Sequence, residues 1–161
     1  MTIIHSQNVL LQDIYVNSTS NVRRKGSNTD GADTFYVNNV TFKRWTVANG
    51  DDGISLKANS TNIIIEDSTL YGGAIALGSI GQYMDVYETI ENVTVRNITY
   101  LGGFAPVYAK TWTGKQKGYP PNGGGGGLGV IRNISRHRPN SYPIYTACQL
   151  TIYSCKRYHS C

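Results

Sequence analysis

One short motif returns along this chain, and it limits the fold more than any other feature. Asn8-Val9-Leu10-Leu11-Gln12-Asp13-Ile14, Asn39-Val40-Thr41-Phe42-Lys43-Arg44-Trp45, Asn62-Ile63-Ile64-Ile65-Glu66-Asp67-Ser68 and Asn92-Val93-Thr94-Val95-Arg96-Asn97-Ile98 each open on Asn and an apolar residue and then alternate. A weaker fifth copy starts at Asn133-Ile134. The copies are 31, 23, 30 and 41 residues apart. A basic period of about 22–23 residues with insertions accounts for all four spacings. Short alternating strands at that period, with no helical periodicity between them, predict an all-β parallel β-helix. Equivalent Asn residues should then form a hydrogen-bonded ladder, with Val and Ile stacking as a continuous core about 4.8 Å per coil.

Composition agrees with a strand-rich fold. The chain is 40% hydrophobic but only 16% charged, with 18 Gly and 12 Tyr in 161 residues. That excludes a disordered chain, a coiled coil and collagen, and no apolar run is long enough for a membrane helix. The net charge of +5 favours an anionic partner such as an acidic polysaccharide. The basic residues are scattered, apart from the short cluster Arg23-Arg24-Lys25, so nucleic acid is not expected.

The expected organisation is a truncated solenoid. Residues 1–131 read as β-helix coils with loops, including a Gly-rich loop over 118–129 that reads as a flexible connector. Residues 132–161 read as an irregular Cys- and Tyr-rich tail. Cys148, Cys155 and Cys161 all fall in that tail, an odd set that leaves one thiol without an intrachain partner. Met1-Thr2-Ile3-Ile4-His5 enters a strand pattern at once, with no signal peptide. Six of the 14 Asn (Asn17, Asn39, Asn59, Asn92, Asn97 and Asn133) begin Asn-x-Ser/Thr, where chance gives about two. A secreted parent protein is therefore expected, of which this chain is an interior piece; a repeated Asn-Val-Thr strand motif is the other source of such acceptors.

The coil period also carries the chemistry. Asp30, in Asn28-Thr29-Asp30-Gly31, lies 21 residues before Asp51, which is paired with Asp52 in Gly50-Asp51-Asp52-Gly53. One coil apart, the three carboxylates should stack on one face, and like charges that close raise at least one pKa. A protonated carboxyl beside ionised ones is the equipment of inverting glycoside hydrolysis, in which acid and base stand roughly 6.5–9.5 Å apart. Asp-Gly steps are also ordinary turn formers, so each motif alone says little.

Taken in order, Asn28-Thr29-Asp30-Gly31, Gly50-Asp51-Asp52-Gly53-Ile54-Ser55-Leu56-Lys57 and Gly72-Gly73-Ala74-Ile75-Ala76-Leu77-Gly78-Ser79-Ile80-Gly81 resemble the polygalacturonases of glycoside hydrolase family 28. Gly81-Gln82-Tyr83 and Lys110-Thr111-Trp112-Thr113-Gly114 look like its exo-acting branch, the galacturan 1,4-alpha-galacturonidases or exo-rhamnogalacturonases. The resemblance implies a right-handed parallel β-helix that hydrolyses terminal alpha-1,4-galacturonic linkages of pectic polysaccharide with inversion. It implies Asp51 as general acid, with Asp30 and Asp52 holding and deprotonating water. Lys110 falls in the family's Arg-x-Lys motif and would bind a substrate carboxylate, with Tyr108 at the Arg position and Trp112 able to stack on a sugar. No cofactor or metal is implied, and a monomer is expected.

Three residues depart from the family pattern. Gly73 stands where the family has His in Gly-His-Gly, Tyr108 stands for Arg, and Gly53 for a common Cys. Two other functions remain in competition. One is a β-helical carbohydrate-binding piece without turnover. The other is a lyase in which the three Asp ligate Ca²⁺.

Overall fold

Turning a strand-rich chain through a closed coil needs bends that do not interrupt the ladder of hydrogen bonds. Asn is suited to that task because its short polar side chain tolerates the left-handed region. Asn8, Asn39, Asn62, Asn92 and Asn133 all occupy it, with φ between 55° and 58°. Asp13, Arg44, Asp67 and Asn97 form a second column of such bends, and His5, Tyr36 and Asn59 a third. The repeated Asn is therefore the mark of a corner.

The computed structural model describes residues 1–21, 26–102 and 106–137, and the backbone of 150–152. The described residues hold strands and no helix. Strands β1 (Thr2–Ile4), β2 (Gln7–Gln12) and β3 (Tyr15–Ser18) make the first coil. The second comprises β4 (Ala32–Phe35), β5 (Val37–Lys43) and β6 (Thr46–Asn49). Then come β7 (Ile54–Leu56) with β8 (Ser60–Tyr71), β9 (Ile75–Ile80) with β10 (Tyr87–Tyr100), and β11 (Val107–Thr111) with β12 (Leu128–His137). β13 (Leu150–Ile152) lies antiparallel on β12.

Every other pairing is parallel and joins successive coils. One sheet has five strands in the order β1-β4-β7-β9-β11, and a second runs β13-β12-β10-β8-β5-β2. The fold is a parallel β-helix. Val40, Ile63, Val93 and Ile134 stand in register on β5, β8, β10 and β12, and all are buried. The Asn ladder runs along the outside. Asn39 donates to Asn8 at 2.8 Å, Asn92 to Asn62 at 2.9 Å and Asn133 to Asn92 at 3.0 Å, while Asn62 turns to the adjacent Asn38 at 2.7 Å.

Inward positions stack as apolar columns. Ala32, Ile54 and Ile75 are fully buried, and so are Phe42 and Ile65. Trp45 sits edge-on to Phe42 at 5.2 Å and donates its indole N–H to Leu11 O at 2.7 Å, so its polar atom is satisfied in the core. Thr34 and Ser60 are buried on adjacent coils and bond to each other at 2.8 Å.

The Gly-rich segment differs from expectation. It is packed, not a flexible connector: Gly124 to Gly127 are buried, and their amides bond Lys117, Gln82, Thr113 and Gly81. A Cβ at Gly124 would lie 2.5 Å from Gln82 O, and one at Gly127 2.6 Å from Tyr83 O, so the glycines are there for close approach. β12 starts at Leu128, inside the expected loop, and continues to His137, beyond the boundary expected at 131, because Val130, Ile131 and Ile134 are still buried. The three Cys lie outside the described residues, as does Arg23-Arg24-Lys25.

Replacing Phe42 by Ala should remove about 3–5 kcal/mol of stability, and the milder Ile63→Val about 1 kcal/mol. Urea denaturation followed by circular dichroism would read both as a lower midpoint at unchanged slope.

Candidate functional site

The five-stranded sheet sets the site. Asp30 precedes β4, Asp51 and Asp52 precede β7, and Gly73 precedes β9, each on the next coil at the same corner. Backbone bonds lock these turns together: Gly31 N to Asp52 O at 3.0 Å, Ala32 N to Gly53 O at 3.2 Å and Gly53 N to Ala74 O at 2.7 Å. The Asp-Gly steps are tight because the coils nearly touch there. A Cβ on Gly31 would come within 2.4 Å of Gly53 O.

Asn49 was not anticipated from the sequence. Its Nδ2 donates to Thr29 O, Asp51 O and Asp52 O at 3.0, 2.9 and 2.6 Å, so one buried amide ties both aspartate turns together. The signal was present as the Asn that precedes Gly50-Asp51-Asp52. Strand alternation would likewise have found Ser55 and Lys57, which follow Asp52 on the same outward row as Asp33.

The turns bring the expected carboxylates together. One oxygen each from Asp30, Asp51 and Asp52 lies within 4.8 Å of the other two. Asp51 Oδ2 accepts the amide of Asn28 at 2.7 Å, and Oδ1 that of Asp52 at 2.9 Å. Asp52 is buried and answered on both oxygens. Tyr108 donates its hydroxyl to Oδ1 at 2.5 Å, and Lys110 Nζ meets Oδ2 at 3.0 Å. Ser55 Oγ is 3.5 Å from Oδ2. Lys57 stands 4.0 Å from Asp30 and 3.5 Å from Asp33.

This crowding acts on protonation. Burial, then the charge of Asp33, lifts the Asp30 carboxyl from 3.8 to about 6 against the pull of Lys57, with Asp51 and Asp52 adding to the rise. Burial and the bond to Asp52 raise the Tyr108 phenol. Burial works against the Lys110 ammonium, but the bond and charge of Asp52 outweigh it and raise its pKa.

Other expected groups fall elsewhere. Trp112 is half-buried and donates Nε1 to Ser79 Oγ at 3.3 Å at the end of β9; none of its described bonds joins it to the carboxylates. Tyr83, Tyr87 and Tyr119 are exposed. His5 stacks on Tyr36 at a corner, and His137 ends β12.

Three aspartates on adjacent coils, with a lysine two coils on, are the arrangement to set beside known proteins. A family model described as glycosyl hydrolases family 28 matches residues 1–118. The chain belongs to that family. It is 48% identical over 160 residues to alpha-L-rhamnosidase rgxB of Aspergillus niger, covering 96% of this chain and 37% of that protein. It is 44% identical over 156 residues to putative galacturan 1,4-alpha-galacturonidase A of Aspergillus niger, covering 87% and 36%. Exopolygalacturonase X of the same species is 36% identical over 135 residues, covering 83% and 31%. The chain thus spans about a third of the length of these curated relatives. No solved structure matches it.

Family membership makes Gly73 notable. A Cβ there would lie 2.5 Å from Gly53 N and 2.6 Å from both Asn49 Oδ1 and Asp51 O. The space for the family's imidazole is closed by the neighbouring coil. Gly73→Ala should therefore cost about 1–3 kcal/mol and shift the midpoint of urea denaturation. Asp30 gives a second test, of opposite sign. Its raised pKa means the folded state binds the proton more tightly, so the stability it contributes at low pH is lost as pH rises from about 4 through about 6. Asp30→Asn should be more stable than the parent at pH 7.5 by about 1–3 kcal/mol and close to it at pH 3.5, read by thermal denaturation at both pH values.

Proposed function

We propose that this chain carries the catalytic face of an exo-acting pectic hydrolase, which cleaves terminal alpha-1,4-galacturonic linkages with inversion. The observation that carries the reading is the three-aspartate cluster with Asp52 held by Lys110 and Tyr108. Asp51 gives its proton to the glycosidic oxygen as the bond to the anomeric carbon breaks. A water between Asp30 and Asp52 attacks that carbon and passes its proton to one of them. Lys110 faces the substrate from β11, beside Tyr108, and a polyanionic pectin chain suits the net positive charge. The parent protein acts outside the cell as a monomer and needs no cofactor.

Inversion rests on family membership and not on spacing. Oxygens within 4.8 Å are closer than the roughly 6.5–9.5 Å of an ordinary inverting pair. The anomeric form of the first product, followed by proton NMR, decides it: the β-anomer supports inversion, and the α-anomer removes it.

One observation favours a second reading of the sugar. Lys110 is already paired with Asp52, and Lys57 with Asp30 and Asp33. Both lysines described at the cleft are thus neutralised by its own carboxylates, which suits an uncharged terminal sugar. Rhamnose, the sugar in the name of the 48% identical relative, is uncharged. Release of rhamnose from rhamnogalacturonan fragments, measured against release of galacturonate from oligogalacturonates, separates the two. A lyase is less favoured, because a Ca²⁺ would need six to eight oxygens where Lys110 and Tyr108 already hold Asp52. A chelator should leave sugar release unchanged.

Asp51→Asn should lower kcat by about 10²–10⁴, since Asn supplies no proton. Lys110→Ala should act mainly on KM. While Asp51 keeps its proton, the rate should rise with pH through about 6 as Asp30 ionises and becomes able to accept a proton from water. Reducing-sugar assays across pH 4–8 read all three, and full turnover in Asp51→Asn would remove the proton donor from the scheme.

A further inference from the structure

Six Asn-x-Ser/Thr acceptors are about three times the chance number, and the fold explains five of them. Asn39, Asn59, Asn92, Asn97 and Asn133 are all corner residues with φ between 51° and 57°. After each corner the next side chain turns inward: Val40, Ser60, Val93, Ile98 and Ile134 are buried. The residue after that points outward, where strands favour Thr or Ser. A left-handed Asn, an inward residue and an outward Thr spell the acceptor motif without any selection for sugar.

Most of these five amides are also committed to the neighbouring coil. Asn39, Asn92 and Asn133 donate Nδ2 along the ladder at 2.8 to 3.0 Å, and Asn97 donates to Asp67 at 2.7 Å. Asn59 uses Oδ1 to accept the Thr89 amide at 3.0 Å. A glycan on Asn39, Asn92, Asn97 or Asn133 would be attached to the same exposed nitrogen that bonds the neighbouring coil.

Asn17 differs in backbone and in partners. It is not a corner residue; it lies on β3 with an ordinary φ. Its Oδ1 accepts both the backbone N–H of Thr19 at 3.2 Å and the Thr19 hydroxyl at 2.8 Å. This Asx turn folds the acceptor hydroxyl back beside the carboxamide. Nδ2 has only the long 3.3 Å contact to the exposed Tyr15 hydroxyl, within its own strand. Alternation packs Val16 against the core and points Asn17 outward.

We infer that Asn17 is the N-glycan attachment site of this protein, and that the five corner Asn are structural. The reaction joins the anomeric carbon of an oligosaccharide to Asn17 Nδ2. The donor is a lipid-pyrophosphate oligosaccharide; its sugar–phosphate bond breaks and the amide gives up one proton. The inference rests on the extracellular reading above but not on the hydrolytic one, so sugar release and glycan occupancy fail separately.

The test is secretion of the full 161-residue chain from a yeast host, with the folded fraction isolated and its peptides mapped after enzymatic glycan removal in heavy-oxygen water. One glycan is expected, at Asn17, in most molecules, and it should disappear in Asn17→Gln with the circular dichroism of the fold unchanged. An unmodified Asn17 in the folded fraction, or a corner Asn occupied to a similar extent, overturns the inference. If the chain is retained, translation with endoplasmic reticulum microsomes gives a second reading. There Asn17→Gln should remove more of the glycosylated band than any other single Asn→Gln change, and an equal or smaller loss overturns the inference.

Discussion

The stacking of one coil on the next at β-sheet spacing is the constraint from which the rest follows. A strand in a parallel ladder needs its partner about 4.8 Å away, so the chain has to return to the same corner one full coil later. Residues 21 apart in sequence thereby become neighbours, and Asp30 meets Asp51 and Asp52. At that corner the backbones approach so closely that Gly31 and Gly73 leave no space for a side chain. The carboxylate cluster is a property of the stack rather than of any single loop.

Stacking also sets the electrostatics. Like charges are placed a few ångström apart because the ladder puts them there, and the cluster persists only because cations and amide donors are stacked with it. Asn49 holds the turns, the Asn28 and Asp52 amides hold Asp51, and Lys110 and Tyr108 hold Asp52. Asp30 is the least compensated, with Lys57 shared with Asp33 and 4.0 Å away, and it is the carboxyl that burial and like charge lift to about 6. Its higher affinity for a proton follows from burial first and from the charge of Asp33 next.

The ladder and the aspartate register were legible in the sequence because both repeat with the coil. Asn39, Asn62 and Asn92 differ only by insertions, and those insertions lie in loops. What did not repeat was not legible. Asn49 acts through a side chain that reaches three carbonyls on two coils; its place before Gly50-Asp51-Asp52 marks the residue but not those partners. The run of Gly beginning at Gly123 is locally indistinguishable from a flexible linker. Its order comes from Gln82 and Thr113, whose carbonyls accept the amides of Gly125 and Gly126. Trp112 is likewise fixed by a contact that does not repeat, its bond to Ser79 at a strand end.

Two of the three departures of the site from its family act on the surroundings of the paired aspartates. An imidazole at position 73 would enter where Asn49 Oδ1 and Asp51 O now crowd the backbone, and a guanidinium at position 108 would bring a second permanent cation to Asp52. With Gly73 the aspartate turns close on each other, and with Tyr108 a neutral donor takes the place of a charged one. Lys110 is then the sole cation against Asp52 among the described residues, and in the empty cleft its charge is used within the protein. A substrate carboxylate arriving there would have to compete with Asp52 for the same ammonium, whereas a neutral sugar would leave the pair intact. The loss of one guanidinium thus bears on sugar selection through the partner it leaves behind.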